Sequence, residues 1–157
     1  MSQHCHLKVA GTLHSSTPKG RSMLEILSPP PVNIVSVISQ GIARENEVSS
    51  IARYDFAIVE RDGEAFVGGI TASISFAVLF INNIWVDGHA RGRGVGRSLI
   101  AAAEAEGLRL GAETSCVDTL TTQAPAFYLR LGYLEFGRLE GWVEAKAVDR
   151  IWFKRQL

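Results

Sequence analysis

The chain has 157 residues, of which 46% are hydrophobic and 20% charged, and its basic and acidic residues balance to a formal net charge of zero. This length suits one domain with a single sizeable core, and the balanced charge excludes a global field that would attract nucleic acid or an anionic membrane. The longest apolar run, residues 76–81, is too short to span a bilayer. Cys5 and Cys116 lie far apart, so we expect no disulfide framework and a reducing, cytoplasmic location.

The N-terminal residues 1–22 mix His, Ser, Thr, Gly and Pro without a clear period. They lack the continuous apolar core of a signal peptide, and we expect either a flexible extension or an added edge strand within residues 7–13. His4, Cys5 and His6 are residue types that bind soft metals, but no second cluster stands at ligand spacing, so we predict no metal site. A single domain is expected over residues 23–157.

The first half of that domain is predicted to contain a strand, a helix and an antiparallel meander. Residues 23–27 predict a short strand that stops at three prolines, and Ile34, Val37, Ile38 and Ile42 then recur at helical spacing. Alternating apolar residues and a turn at 61–64 predict three further strands. They are placed at residues 54–60, 66–78 and 79–86.

The second half begins with a helix from Gly94, on which Glu104 and Arg109 are expected to face water. Residues 114–118 predict the next strand, and this strand–helix–strand order predicts a right-handed βαβ unit. A short helix ending at Gly132 follows. Strands are then expected at residues 134–139 and 150–155, with a loop between them at 141–149.

The loop before the long helix has three glycines in five positions, Gly92, Gly94 and Gly96. Glycine leaves backbone N–H groups uncovered, and the first N–H groups of a helix have no internal partner. Because Arg91 and Arg93 add positive charge, the loop is predicted to bind a phosphate or pyrophosphate.

The spacing of the glycines discriminates between phosphate ligands. A P-loop is excluded because three rather than four residues separate Gly92 from Gly96, and because an arginine stands in place of its lysine. The dinucleotide fingerprint is a weaker alternative, with Asp118 as the ribose-binding acid. It lacks the third glycine at the right spacing, and five residues stand between the strand and Gly92.

Two patterns resemble the GNAT superfamily of N-acetyltransferases. Arg91-x-x-Gly94-x-Gly96, preceded by Ile84-x-Val86, resembles the loop with which that family binds acetyl-coenzyme A. The second pattern follows about thirty residues later, at the spacing that the family has in the short helix after its fifth strand. Its residues are Ala124, Phe127, Tyr128, Gly132 and Tyr133.

The resemblance implies a mixed α/β fold. Its sheet would be mostly antiparallel, with six or seven strands and helices on both faces. The fourth and fifth strands, residues 79–86 and 114–118, would splay apart to admit the pantetheine arm.

The resemblance also assigns the cofactor site. Backbone groups of Ile84, Trp85 and Val86 would bind the pantetheine amides. Thr121 stands where the family often has an asparagine that contacts the cofactor. The pyrophosphate would be held by the glycine loop, namely Arg91, Gly92, Arg93, Gly94, Val95, Gly96 and Arg97.

The expected reaction is acetyl transfer to a primary amine of a small molecule or peptide, with Tyr128 as the general acid for the departing thiolate. No base is assigned, because the strand that often carries a carboxylate in the family has Asn82 and Asn83 here. Residues 141–149 would contribute to acceptor binding, and an edge strand would form a homodimer. A coenzyme A-binding module without catalysis is the main alternative.

Overall fold

A computed structural model describes residues 24–45 and 53–157. The chain separates into two compact units, residues 1–40 and residues 41–157. The predictions for residues 1–22 lie outside the described residues, and the single domain over residues 23–157 stays a prediction. No helix in the described part of the chain is long and apolar enough to cross a membrane.

The first unit contains most of helix α1, Val32–Glu45. The helix begins after Pro31, whose carbonyl oxygen accepts from the N–H of Ile34 at 3.0 Å. The predicted strand at residues 23–27 is wrong for its described part, because residues 24–27 have no regular structure. Leu24 and Ile26 are almost fully exposed, and no described strand pairs with this segment. A strand needs hydrogen bonds to a neighbouring strand to satisfy its backbone N–H and C=O groups.

The second unit is built around a six-stranded sheet. Its strands are β1 Tyr54–Asp62, β2 Ala65–Ser75, β3 Val78–Val86, β4 Thr114–Leu120, β5 Leu134–Leu139 and β8 Arg150–Gln156. They lie in the order β1-β2-β3-β4-β8-β5. All neighbours are antiparallel except β3 and β4, which are parallel and joined through helix α2, Val95–Arg109. This confirms the predicted mixed, mostly antiparallel sheet of six or seven strands and the βαβ unit. A helix on the second face stays a prediction.

Two helices and a small hairpin complete this unit. Helix α2, Val95–Arg109, packs on β1, β2 and β3, and the short helix α3, Pro125–Arg130, follows β4. The predicted loop at 141–149 contains a two-stranded hairpin, β6 Trp142–Val143 and β7 Lys146–Ala147.

The core lies between α2 and one face of the sheet. Leu99, Ile100 and Ala103 of α2 are buried there with Ile70 and Leu79 of the sheet. The side-chain-free Gly68 lets α2 come close: a Cβ at this position would lie 3.0 Å from Val95 Cγ1 and 3.1 Å from the Trp85 carbonyl oxygen. The core therefore holds the start of α2 firmly against the end of β3.

The helical pattern predicted that Glu104 faces water, and this prediction is wrong. The residue is buried, with 8% exposure. Its carboxylate accepts a hydrogen bond from the Tyr133 hydroxyl at 2.8 Å and pairs with the Arg155 guanidinium at 3.2 Å. The Tyr133 hydroxyl in turn lies 2.7 Å from Ser115 Oγ. Because every polar group of this network has a partner, its hydrogen bonds compensate the loss of water on burial. The network connects α2, β4, β8 and the segment after α3. Burial in this network raises the pKa of Tyr133.

Candidate active site

A β-bulge in β3 opens the centre of the sheet. Thr71 of β2 pairs with Asn83, and the next residue, Ala72, pairs with Ile81. Asn82 is therefore an extra residue in β3 that is paired with no residue of β2 in the ladder. The ladder between β3 and β4 ends at the same level, at Ile81 and Val117, although both strands continue. A bulge bends its strand and increases the local twist. The structure therefore splays β3 from β4 and leaves the backbone of β3 beyond Ile81 without a partner strand on that side.

The glycine loop follows β3 after a short turn of 3₁₀ helix, Gly88–Ala90. Gly92 has φ +74° and Gly94 has φ +91°, values that side-chain-bearing residues rarely adopt. A Cβ at either position would meet no atom within 4 Å. Gly94 is also the N-cap of α2 and offers no side chain to the first turn. The loop is thus an open backbone surface at a helix N-terminus, which suits a negatively charged group.

Arg91 joins the loop to the strand. Its Nε donates to the Val86 carbonyl oxygen at 3.1 Å, which fixes the base of the guanidinium beside the end of β3. Arg97 follows in the first turn of α2, and both side chains are exposed. Two guanidinium groups beside free N–H groups strengthen the positive field of the loop.

Two clefts meet at this point of the sheet. The loop cleft, about 620 Å³, has the glycine loop and the end of β3 on one side and Phe127 and Arg130 of α3 on the other. The gap cleft, about 610 Å³, lies where β3 and β4 diverge. It is lined by Ile81, Asn82, Asn83, Ile84, Arg91, Val117, Asp118, Thr119, Thr122, Gln123, Ala124 and Tyr128. Four residues line both clefts: Ile84, Arg91, Ala124 and Tyr128.

Tyr128 is held rigidly where the two clefts meet. Its ring packs edge-on against Phe127 and Tyr133, at centroid distances of 5.1 and 5.9 Å, and stacks on Phe153 at 6.0 Å. The residue is 5% exposed, and its hydroxyl has no hydrogen-bond partner among the described residues. No buried side-chain polar atom in the described part of the chain lacks a partner, so this hydroxyl must reach the cleft. Burial, with a contribution from the Asp118 carboxylate, raises the pKa of Tyr128 to about 12.

Most of the predicted site residues come together here. The loop cleft contains Ile84, Trp85, Val86, Arg91, Gly92, Gly94, Val95, Gly96, Arg97 and Tyr128. Arg93 is exposed in the loop but lines neither cleft. Thr121 also lies apart from both clefts, because its Oγ1 accepts from the Asp149 N–H at 3.0 Å. A cofactor contact by Thr121 stays a prediction.

The sequence reasoning missed several residues of the gap cleft. Thr122 and Gln123, just before α3, line it in the place expected of Thr121. Asp118 lines it as well and pairs with Arg150 at 2.6 Å. Asn82 forms the bulge itself. Their only sequence signal is their position next to the two recognised motifs. Among the described residues, no group of three or more His, Cys, Asp or Glu is arranged to hold a metal; His4, Cys5 and His6 lie outside that range.

These features define a class of protein: a mixed α/β fold with two splayed parallel strands and an anion-binding loop at the start of the following helix. Residues 21–133 match the sequence profile of the acetyltransferase (GNAT) family. The chain therefore belongs to that family, as its two motifs suggested.

Similar proteins agree with this assignment. Over 67 residues the chain is 43% identical to a blasticidin-S acetyltransferase of Streptomyces morookaense. The matched region covers 42% of this chain and 49% of that protein. The chain spans about half the length of the curated relatives that it matches, 49% and 59%.

The solved structures share the fold. The crystal structure of an acetyltransferase from Bacillus cereus matches with a TM-score of 0.66 and 23% identity, over 85% of this chain and 98% of that one. A Bacillus anthracis protein crystallised with acetyl coenzyme A matches with a TM-score of 0.60 and 20% identity, over 66% of this chain and 62% of that one.

Proposed function

We propose that the protein is an acetyl-coenzyme A-dependent N-acetyltransferase. It would transfer the acetyl group to a primary amine of a small molecule or peptide by direct attack in a ternary complex. The observation that carries the proposal is the meeting of the two clefts at Tyr128, where the bulge at Asn82 parts β3 from β4. One cleft offers an anion-binding loop for the donor, and the other gives an acceptor access to the same point.

The glycine loop fits the coenzyme pyrophosphate. The positive φ of Gly92 and Gly94 and the empty space where a Cβ would stand leave room for a ligand against the backbone. Gly92, Arg93, Gly94, Val95, Gly96 and Arg97 would supply N–H groups, and Arg91 and Arg97 would supply charge. Ile84, Trp85 and Val86 lie on the part of β3 that lacks a β4 partner, so their backbone groups are available to pantetheine amides.

When bound, acetyl-coenzyme A supplies an activated acetyl thioester. A backbone N–H of β3 at the splay would stabilise the negative charge that develops on its carbonyl oxygen. Tyr128, with its pKa near 12, stays protonated at neutral pH and always has a proton to donate. Full transfer to a thiolate whose thiol has a pKa of about 8.5 would be uphill by roughly 5 kcal/mol. Tyr128 would therefore act as a hydrogen-bond donor that passes its proton on only while the acceptor nitrogen returns one.

A thiol-release assay tests this function. Acetyl-coenzyme A would be offered with a polyamine, an aminoglycoside, blasticidin S, an amino acid amide and short peptides with free N-termini. We expect turnover with at least one amine and, in Tyr128→Phe, a kcat that is lower by about 100-fold, the low end of the effect of a general acid, with unchanged coenzyme binding. Tyr54→Phe, a change at an exposed tyrosine of β1, is the control and should retain full activity.

A coenzyme A-binding module without catalysis is a second candidate. Asn82 and Asn83 favour it, because neither can accept a proton from the amine. In that case acetyl-coenzyme A would bind without turnover, and Tyr128→Phe would change nothing. Preferential binding of NAD would instead favour the dinucleotide-binding alternative. The cytoplasmic location and the homodimer stay predictions.

A further inference from the structure

Asp118 stands out in the gap cleft because it is the one carboxylate among the residues that line it. Side chains alternate along a strand, so Asp118 points away from Val117 and Thr119, which are buried on the face that α2 covers. Asp118 therefore lies on the opposite face of the sheet. The gap cleft reaches it only because β3 and β4 have parted at this level.

The position of Asp118 is suited to an approaching ligand rather than to the core. Its side chain is 39% exposed, and it pairs with Arg150, whose side chain is 52% exposed. Exposed ion pairs contribute little to stability, so replacing the bond to Arg150 by one to a ligand would cost the fold little. The charge of Asp118 nevertheless reaches the Tyr128 hydroxyl, whose pKa it helps to raise.

Several uncharged polar side chains also line the gap cleft, and Arg91 adds one positive charge to it. Asn82 and Asn83 lie on the β3 side, and Thr122 and Gln123 lie on the side of α3. These amides and hydroxyls donate and accept hydrogen bonds but carry no charge. Within the protein, Asn82 is hydrogen-bonded to Ser73 and Asn83 to Thr71. Each amide can still make a further hydrogen bond, so a ligand with hydroxyl or amide groups would add hydrogen bonds here, whereas an apolar amine would add none.

We propose that Asp118 binds the ammonium group of the acetyl acceptor, and that the acceptor is a polar, hydrogen-bonding primary amine. The inference rests on the proposed function and specifies its acceptor side. The carboxylate would hold the amine at the gap, across from Tyr128, by exchanging its bond to Arg150 for one to the substrate. Asp118 would act as a binding residue and not as the base. The proton would leave to water in the open cleft.

The test compares two carboxylates with equal exposure. Asp118→Asn removes the charge and keeps the shape and the acceptor oxygen for Arg150. Glu135→Gln makes the same change in the ion pair with Arg138, where the carboxylate is also 39% exposed but lines neither cleft. For the amine of the panel that reacts, we expect Asp118→Asn to raise the acceptor KM about 10- to 100-fold, as for the loss of a charged hydrogen bond. The KM for acetyl-coenzyme A should not change, and Glu135→Gln should match the unmodified protein.

Other outcomes would overturn the inference in distinguishable ways. An unchanged acceptor KM in Asp118→Asn would refute it while the proposed function stands. A lower kcat at unchanged KM would make Asp118 a proton acceptor instead. Arg150→Gln breaks the ion pair but keeps the carboxylate, so an equal rise in acceptor KM there would mean that the pair acts only structurally. If no amine reacts although acetyl-coenzyme A binds, the proposed function itself fails, and the inference fails with it.

Discussion

Replacing Gly94 by alanine tests whether the backbone of the glycine loop is what binds the coenzyme. Gly94 has φ +91°, and a Cβ there would meet no atom within 4 Å, so Gly94→Ala creates no clash. Its cost is conformational, about 1–2 kcal/mol for an alanine held in the left-handed region. If the loop relaxes to relieve that cost, its N–H groups turn away from the ligand. Losing one hydrogen bond to a charged phosphate is worth about 1.5–3 kcal/mol, which is about a 10- to 100-fold weaker Kd.

Gly63→Ala provides the matched control. Gly63 also has a positive φ, +61°, and also has no atom within 4 Å of its Cβ position, but it lies in the turn between β1 and β2 and lines neither cleft. Urea denaturation should give similar losses of unfolding free energy for both variants. Calorimetric titration with acetyl-coenzyme A should show weaker binding only for Gly94→Ala. Equal affinities in the two variants would refute the assignment of the loop.

Three further predictions concern stability. Gly68→Ala should destabilise the fold by about 1–3 kcal/mol in urea denaturation, because its Cβ would press on the backbone oxygen of Trp85, which cannot move aside. Glu104→Gln should cost about 1–2 kcal/mol in the same measurement, since it keeps an acceptor for Tyr133 but removes the buried charge. Tyr128 should contribute a fall of about 2–3 kcal/mol in the unfolding free energy between pH 10 and 12, because the unfolded chain loses the Tyr128 proton near pH 10 and the folded chain holds it to about pH 12. The raised pKa of Tyr133 adds a fall of the same sign, so Tyr128→Phe should make the alkaline decline smaller without abolishing it. A Tyr128→Phe protein with the same alkaline decline would contradict this last expectation.

The parts of the site that the sequence predicted are those specified by neighbours along the chain. The glycine loop follows from its own composition and from the strand and helix beside it, and Tyr128 follows from the short pattern that ends at Gly132. The bulge at Asn82 could not be predicted, because it depends on which residue of β2 lies opposite. Asp118 was overlooked as a cleft residue for the same reason, since it is reached only through the gap that the bulge opens.

The buried state of Glu104 depends on residues still farther away. Its helical position gave no sign of burial, because the groups that compensate its charge are contributed by Tyr133 and Arg155. A local pattern cannot contain such partners. The predicted strand at residues 23–27 failed over its described residues 24–27 for the opposite reason: its local pattern suits a strand, but no described strand forms a ladder with it.

The bulge at Asn82 also changes which alternate side chains of β3 face the core. Before it, the odd-numbered Leu79 and Ile81 face α2, and after it the even-numbered Ile84 and Val86 take over that face. Deleting Asn82 would give a strand with regular alternation in which all four side chains still face the core. The fold would then keep its inward pattern while β3 could run straight alongside β4. One residue in the chain thus separates a closed sheet from a sheet with an opening at its centre.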